Sequence, residues 1–82
     1  MRMNNIILPE LGEGIEKAVV ALWYVRPGDL VKKDDDVVEL VTDKASFNIP
    51  AAGDGRIKEI HFHEGQEVKV GSTLATMEPS LV

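Results

Sequence analysis

Residues 37–49 read VVELV, TDKA and SFNI, which is an apolar run, a polar tetrapeptide and a segment in which polar and apolar residues alternate. The first run is rich in β-branched side chains, and the alternation after the tetrapeptide has the period of a β-strand. Two such segments joined by a short polar turn are typical of a β-hairpin. The pattern predicts that Lys44 lies at the tip of this hairpin, in solvent.

The rest of the chain is built in the same way, from short apolar segments that end at turn-forming residues. The segments at 6–8, 18–25, 56–62 and 74–77 are each followed by proline, glycine or acidic residues. None of them keeps a 3.6-residue apolar period for three turns, so no helix is predicted. The chain is therefore expected to fold as an all-β domain of short strands.

The two halves of the chain are similar at a shift of 37 residues, which aligns Gly28 with Gly65. The shift also superimposes apolar residues on one another: Val20 on Ile57, Trp23 on Ile60, Val25 on Phe62, Val31 on Val68, Val37 on Leu74 and Leu40 on Met77. Two units are too few for a solenoid, which needs about three or more. The repeat favours two sheets related by a quasi-two-fold axis, with Trp23 in the core, over the weak self-similarity common among β domains.

Size and composition exclude several classes of function. The 82 residues are enough for one domain, predicted at 1–79, with 80–82 as the start of a linker. A net charge of −5 disfavours nucleic acid and anionic lipid as partners. The sequence has no cysteine, which excludes disulfides, thiolate metal ligands and a thiol nucleophile. No apolar run approaches the roughly 20 residues of a membrane-spanning helix, so no membrane partner is expected.

Residues suited to catalysis or metal binding are few. No serine has a credible histidine and acid arrangement, and no Gly-x-Ser-x-Gly motif occurs, so no catalytic residue is predicted. His61 and His63, with Glu59, would share one face of a strand. Because a zinc site usually has three or four ligands, a polar outer face is the preferred interpretation and no metal is predicted.

Lys44 has two interpretations on composition alone. A lysine in a turn is ordinarily a solvated charge. A covalent carrier, however, needs an amine on a long flexible stem, held away from the domain by a rigid hairpin. The small neighbours Ala45 and Ser46 would leave room for a modifying ligase around the amine.

Six segments, taken in order over about residues 5–79, resemble the lipoyl domains of dihydrolipoyl acyltransferases from 2-oxo acid dehydrogenase complexes. Each segment is short, and their order and spacing make the resemblance specific. They are 7–15 (ILPELGEGI), 22–31 (LWYVRPGDLV), 42–45 (TDKA), 49–51 (IPA), 55–57 (GRI) and 64–68 (EGQEV).

The resemblance implies a flattened β-barrel or sandwich of two four-stranded antiparallel sheets with quasi-two-fold symmetry. It implies that Lys44 carries lipoate in amide linkage, attached by a lipoyl ligase or lipoyl transferase that reads the flanks Asp43 and Ala45. The domain itself would be a non-catalytic carrier within a dihydrolipoyllysine-residue acyltransferase.

The resemblance also implies the partners. A thiamine-diphosphate-dependent 2-oxo acid decarboxylase would load the lipoyl group, the acyltransferase core would pass the acyl group to coenzyme A, and dihydrolipoyl dehydrogenase would reoxidise the dithiol. Recognition by the decarboxylase is assigned to the loop between the first two strands together with Glu39 and Asp43. The loop residues are Leu11, Gly12, Glu13, Gly14, Ile15 and Glu16. The isolated domain is expected to be a monomer, in a bacterial or archaeal cytoplasm, or in the mitochondrial matrix if eukaryotic and processed.

Three alternatives stay open. Biotinyl carrier domains resemble this chain but have Met-Lys-Met at the turn, where this chain has Asp43-Lys44-Ala45. The glycine-cleavage carrier protein is a longer lipoyl carrier with added helices, and a non-covalent β interaction module would leave Lys44 unmodified. Among the complexes, pyruvate or branched-chain members are favoured, because 2-oxoglutarate members often have valine after the lysine.

Overall fold

The computed structural model describes residues 4–79, which form two four-stranded antiparallel sheets. The strands are β1 (Asn4–Ile7), β2 (Lys17–Trp23), β3 (Leu30–Val31), β4 (Asp36–Val41), β5 (Ser46–Pro50), β6 (Gly55–Ile60), β7 (Glu67–Lys69) and β8 (Thr73–Pro79). Their order is β1-β8-β6-β3 in one sheet and β5-β4-β2-β7 in the other. The predicted all-β fold is confirmed. The predicted linker at 80–82 lies outside the described residues.

The two sheets are related by the predicted quasi-two-fold symmetry. Exchanging each of β1 to β4 with the strand four places later converts the order of one sheet into the order of the other. The 37-residue shift holds in detail, since β-bulges lie between Val20 and Leu22 and between Ile57 and Glu59. These bulges leave Leu22 and Glu59 exposed on the outer surface. The repeat can therefore mismatch at this pair without disturbing the core.

The two equivalent glycines make equivalent turns. Gly28 and Gly65 have φ angles of +97° and +91°, a region that residues with a side chain rarely adopt. The Gly28 amide donates to the Ile57 carbonyl at 2.7 Å, and the Gly65 amide donates to the Val20 carbonyl at 2.8 Å. Each half of the chain thus supplies the turn that is hydrogen-bonded to the opposite half.

The loop between β1 and β2 departs from the quasi-two-fold symmetry. The loop between β1 and β2 spans residues 8–16, whereas its counterpart between β5 and β6 spans 51–54, so the first loop is five residues longer. Its last residue is bound to the other half of the chain, since the Val70 amide donates to the Glu16 carbonyl at 2.9 Å.

The core lies between the sheets and consists of the inward-facing residues of both halves. Repeat partners are buried together: Val37 and Leu74 are both 0% exposed, as are Leu40 and Met77. Trp23 is half-buried at the margin of the core, and its indole Nε1 donates to the Phe62 carbonyl at 2.8 Å. The apolar segments 18–25 and 56–62 extend beyond β2 and β6, because the bulged strands leave the ladder after Trp23 and Ile60.

The strand directions place the described ends of the chain far from the β4–β5 turn. Asp36 at the start of β4 pairs with Pro50 at the end of β5. Gly55, a few residues after Pro50, pairs with Pro79. The six residues of β4 separate this end from the hairpin turn by about 20 Å at the usual rise per residue.

Candidate functional site

The turn at residues 42–45 joins β4 to β5 and is closed by the side chain of Thr42. The Thr42 amide donates to the Ala45 carbonyl at 2.8 Å. The Thr42 hydroxyl accepts from the amides of Lys44 at 3.2 Å and Ala45 at 3.1 Å. Hydroxyl side chains at the first position of a turn satisfy backbone amides in this way. The backbone on which Lys44 stands is therefore ordered by Thr42.

Thr42 was missed among the residues predicted at the attachment turn, which were Lys44 and its neighbours Asp43 and Ala45. Its signal was present in the sequence, since Ser and Thr are common where a turn begins. Lys44 is exposed, as predicted, and its neighbours Asp43 and Ala45 are exposed as well.

The loop after β1 reaches the hairpin lysine. A Cβ atom placed on Gly14 would lie 3.6 Å from Lys44 Nζ, so this part of the loop is beside the amine. Leu11 packs against the core and Ile15 is half-buried, while Glu13 and Glu16 are exposed. The loop is thus held by its apolar residues and presents acidic ones at the end of the domain where Lys44 lies.

Lys44 itself is exposed, and none of the ion pairs found within residues 4–79 includes it. An amine that lies in solvent beside small residues is sterically suited to acylation. The residues around the turn therefore fit a covalently attached acyl group on Nζ.

Glu39, by contrast, lies on the outer face of the β5-β4-β2-β7 sheet. It is half-buried in β4, opposite Leu22 of β2 and Asn48 of β5. Desolvation, followed by the negative charges of Glu39 and Asp36, raises the pKa of Tyr24 above its ordinary value of 10.0. The structure therefore brings the 11–16 loop to Lys44, but it places Glu39 next to Tyr24.

The histidine pair does not lie as the strand pattern predicted. β6 ends at Ile60, so His63 is in the turn that follows rather than on the same strand face as Glu59. His61 Nε2 is 2.8 Å from the Thr76 hydroxyl and 3.8 Å from a Glu59 carboxylate oxygen. Within the described part of the chain, no three histidine, aspartate or glutamate side chains are grouped as metal ligands.

No helix within residues 4–79 is long and apolar enough to cross a bilayer.

Comparison with known proteins agrees with this fold. The model of the biotin/lipoyl family, described as biotin-requiring enzyme, matches residues 4–77. The chain belongs to this family.

Two curated relatives and one solved structure narrow the class. The lipoamide acyltransferase component of the branched-chain alpha-keto acid dehydrogenase complex of Bacillus subtilis is 35% identical over 78 residues, which are 95% of this chain and 18% of that protein. The dihydrolipoyllysine-residue acetyltransferase component of the pyruvate dehydrogenase complex of the same organism is 38% identical over 71 residues, 87% of this chain and 16% of that protein. The chain thus spans less than a fifth of the length of these relatives.

The solution structure of the lipoyl domain of the 2-oxoglutarate dehydrogenase complex from Azotobacter vinelandii superimposes with a TM-score of 0.74. It is 36% identical, and the match covers 93% of this chain and 98% of that domain. Within the family, the similarity is therefore to the lipoyl domains of acyltransferase components. The predicted class and its cofactor, covalently bound lipoate, are confirmed. The three matches come from three different complexes.

Proposed function

We propose that lipoate is attached to Lys44 in amide linkage and that the domain carries acyl groups within a 2-oxo acid dehydrogenase complex. The observation that carries this proposal is the position of Lys44, exposed in a turn ordered by Thr42, at one end of a rigid two-sheet domain. The family and the relatives support it, because lipoyl domains are parts of such complexes.

The residues of this chain contribute position and access. The paired strands β4 and β5 hold the turn away from the core, and the long lysine side chain adds reach. Asp43 and Ala45 are exposed on either side, where a lipoyl ligase or lipoyl transferase would read them. When bound, lipoate supplies a dithiolane that accepts an acyl group as its disulfide is reduced. Tethering raises the effective concentration of that group at successive active sites.

The partners follow from this role. A thiamine-diphosphate-dependent decarboxylase would load the domain, an acyltransferase core would receive the acyl group for coenzyme A, and dihydrolipoyl dehydrogenase would restore the disulfide. The domain is a carrier in this scheme and belongs to a longer dihydrolipoyllysine-residue acyltransferase. Ala45 after the lysine favours a pyruvate or branched-chain complex over a 2-oxoglutarate complex.

The attachment site is tested by intact mass after expression with lipoyl ligase and lipoate, with fragmentation to map the adduct. One lipoyl increment on Lys44 is expected. Lys44→Arg should fold and lose the increment, whereas the control Lys33→Arg, another exposed lysine in a turn, should keep it. An increment that survives Lys44→Arg, or one that forms only with biotin and biotin ligase, would overturn the assignment.

Recognition by the decarboxylase is tested by charge reversal on the loop. Glu13→Lys and Glu16→Lys should lower kcat/KM for reductive acylation, most strongly at low salt, because exposed charges at an interface act mainly on the association rate. Glu39→Lys should have a smaller effect, since Glu39 lies on the sheet face beside Tyr24 rather than in the loop. If all three variants had the same kcat/KM for reductive acylation as the unsubstituted domain, a role for the loop charges would be refuted. Assays with decarboxylases for pyruvate, branched-chain and 2-oxoglutarate substrates would identify the complex.

A further inference from the structure

A shallow groove of about 370 Å³ adjoins the hairpin turn on the outer face of the β5-β4-β2-β7 sheet. Its apolar part includes Val19 and Val41, which are paired across β2 and β4 and are 40% and 38% exposed. Thr42 and Asp43 line the groove as well, so it extends from this valine pair to the turn that holds Lys44.

Charged side chains of β2 and β7 also line the groove. Lys17 Nζ lies 3.2 Å from Glu67 Oε1, and both residues line the groove. Glu67 is opposite Val19 in the β2–β7 ladder. Glu67, Val19 and Val41 thus form a row across the sheet, and Val41 is the residue next to the lysine-bearing turn, so the two valines lie between Glu67 and that turn.

The group proposed for Lys44 matches this strip in chemistry and in reach. Neighbouring strands are about 4.8 Å apart, so Val41 in β4 and Val19 in β2 lie within two strand spacings of the turn. Acylation removes the charge of the lysine and adds an alkyl chain that ends in a dithiolane. Most of that arm is apolar, and covering exposed valine with it removes apolar surface from water.

We propose that this groove is a resting site for the lipoyl group on Lys44, an inference that rests on the proposed function. The valines are only partly covered by the protein, so the groove is open and the arm leaves it readily for a partner enzyme. The groove also begins at Lys17, directly after the 11–16 loop whose Gly14 lies beside the Lys44 amine. A resting arm is therefore held next to the surface on which a decarboxylase would dock.

The test compares the unmodified and lipoylated chain by NMR, with valine methyl groups labelled with ¹³C. Lipoylation should shift the methyl resonances of Val19 and Val41 and give nuclear Overhauser effects between those methyls and the arm. The methyls of Val31 and Val37, which are 5% and 0% exposed, should not change. Val19→Thr and Val41→Thr keep the side-chain shape at exposed positions, and each should weaken the contacts of the remaining valine with the arm. Leu30→Thr, at a residue of β3 that is 69% exposed, is the matched control and should leave them intact.

The outcomes separate this inference from the proposed function. A lipoyl increment on Lys44 with contacts to Val19 and Val41 supports both. The same increment without any change at these methyls, or with arm contacts only to the 11–16 loop, overturns the resting site and leaves the carrier function standing. Failure of Lys44 to accept lipoate overturns both.

Discussion

Substitution of Gly55 by alanine tests how closely β6 and β8 approach each other at the end of the domain far from Lys44. Gly55 pairs with Pro79, and the next pair is Arg56 with Glu78. A Cβ on Gly55 would lie well inside van der Waals contact with the Glu78 carbonyl oxygen, and it would be 3.3 Å from both the Glu78 carbonyl carbon and Met77 Cε. Because the nearest atom belongs to the backbone, a rotamer change cannot relieve the clash, and the two strands must separate.

The cost follows from this geometry. Forcing an extra carbon into a packed site that must shift its backbone costs about 1–3 kcal/mol. A domain of 82 residues has a total stability of roughly 4–12 kcal/mol. A central loss of about 2 kcal/mol lowers Tm by roughly 8–16 °C for a domain of this size.

The assay is thermal and urea unfolding, followed by the fluorescence of Trp23, the single tryptophan, and by circular dichroism. Gly53→Ala is the matched control, because a Cβ there would meet no heavy atom within 4 Å. The control should be unchanged or stabilised by about 0.4–1 kcal/mol through its effect on the unfolded chain. If Gly55→Ala unfolds at the same midpoint as Gly53→Ala, the close approach of β6 and β8 is refuted.

Three further predictions concern the turns and the outer face. Thr42→Val should lose about 0.5–1.5 kcal/mol of stability and speed hydrogen exchange of the turn amides, whereas Thr42→Ser should not; equal exchange in both variants would exclude the hydroxyl as the turn's closing group. Glu39→Gln should bring the raised pKa of Tyr24, the single tyrosine, down toward its ordinary value of 10.0 in an ultraviolet titration. Since a raised pKa means that the folded state favours the neutral phenol, this contribution to stability is complete below pH 10.0 and is lost as the pH rises through the raised pKa, so the variant should lose less stability at high pH. Gly28→Ala and Gly65→Ala, at equivalent positive φ angles, should each cost about 1–3 kcal/mol, and clearly unequal denaturation midpoints would contradict the quasi-two-fold equivalence of the two turns.

Much of the fold was predictable because the apolar pattern of each strand is local and because the same pattern occurs in both halves of the chain. Four of the six apolar pairs that the 37-residue shift superimposes, such as Leu40 and Met77, are buried between the sheets, and the pairs Trp23–Ile60 and Val25–Phe62 are partly buried against that core. Alternation within a strand determines which side chains share a face, so a repeated alternation predicts two similar faces that pack together. The limits of β2 and β6 were not predictable in this way, because the bulges depend on partners in other strands.

The short strands show the same dependence on distant residues. Leu30–Val31 and Glu67–Lys69 are too short for a pattern to identify, and each is a strand only because it pairs with β6 or β2. Their positions follow from the closing of the two turns at Gly28 and Gly65 on the opposite half of the chain.

The candidate site also combines features that the sequence predicts with features that depend on tertiary packing. The position of a lysine in a short turn between two strands follows from the sequence, because turn residues and strand periodicity are read from neighbours along the chain. The surroundings of that lysine depend on the packing of segments that are distant in the sequence. The 11–16 loop comes beside it because the extra residues between β1 and β2 are held across the end of the domain, while Glu39 faces Tyr24 because strand pairing directs it to the outer face. The valine pair next to the turn likewise arises from the register of β2 on β4, which depends on contacts between residues far apart in the chain.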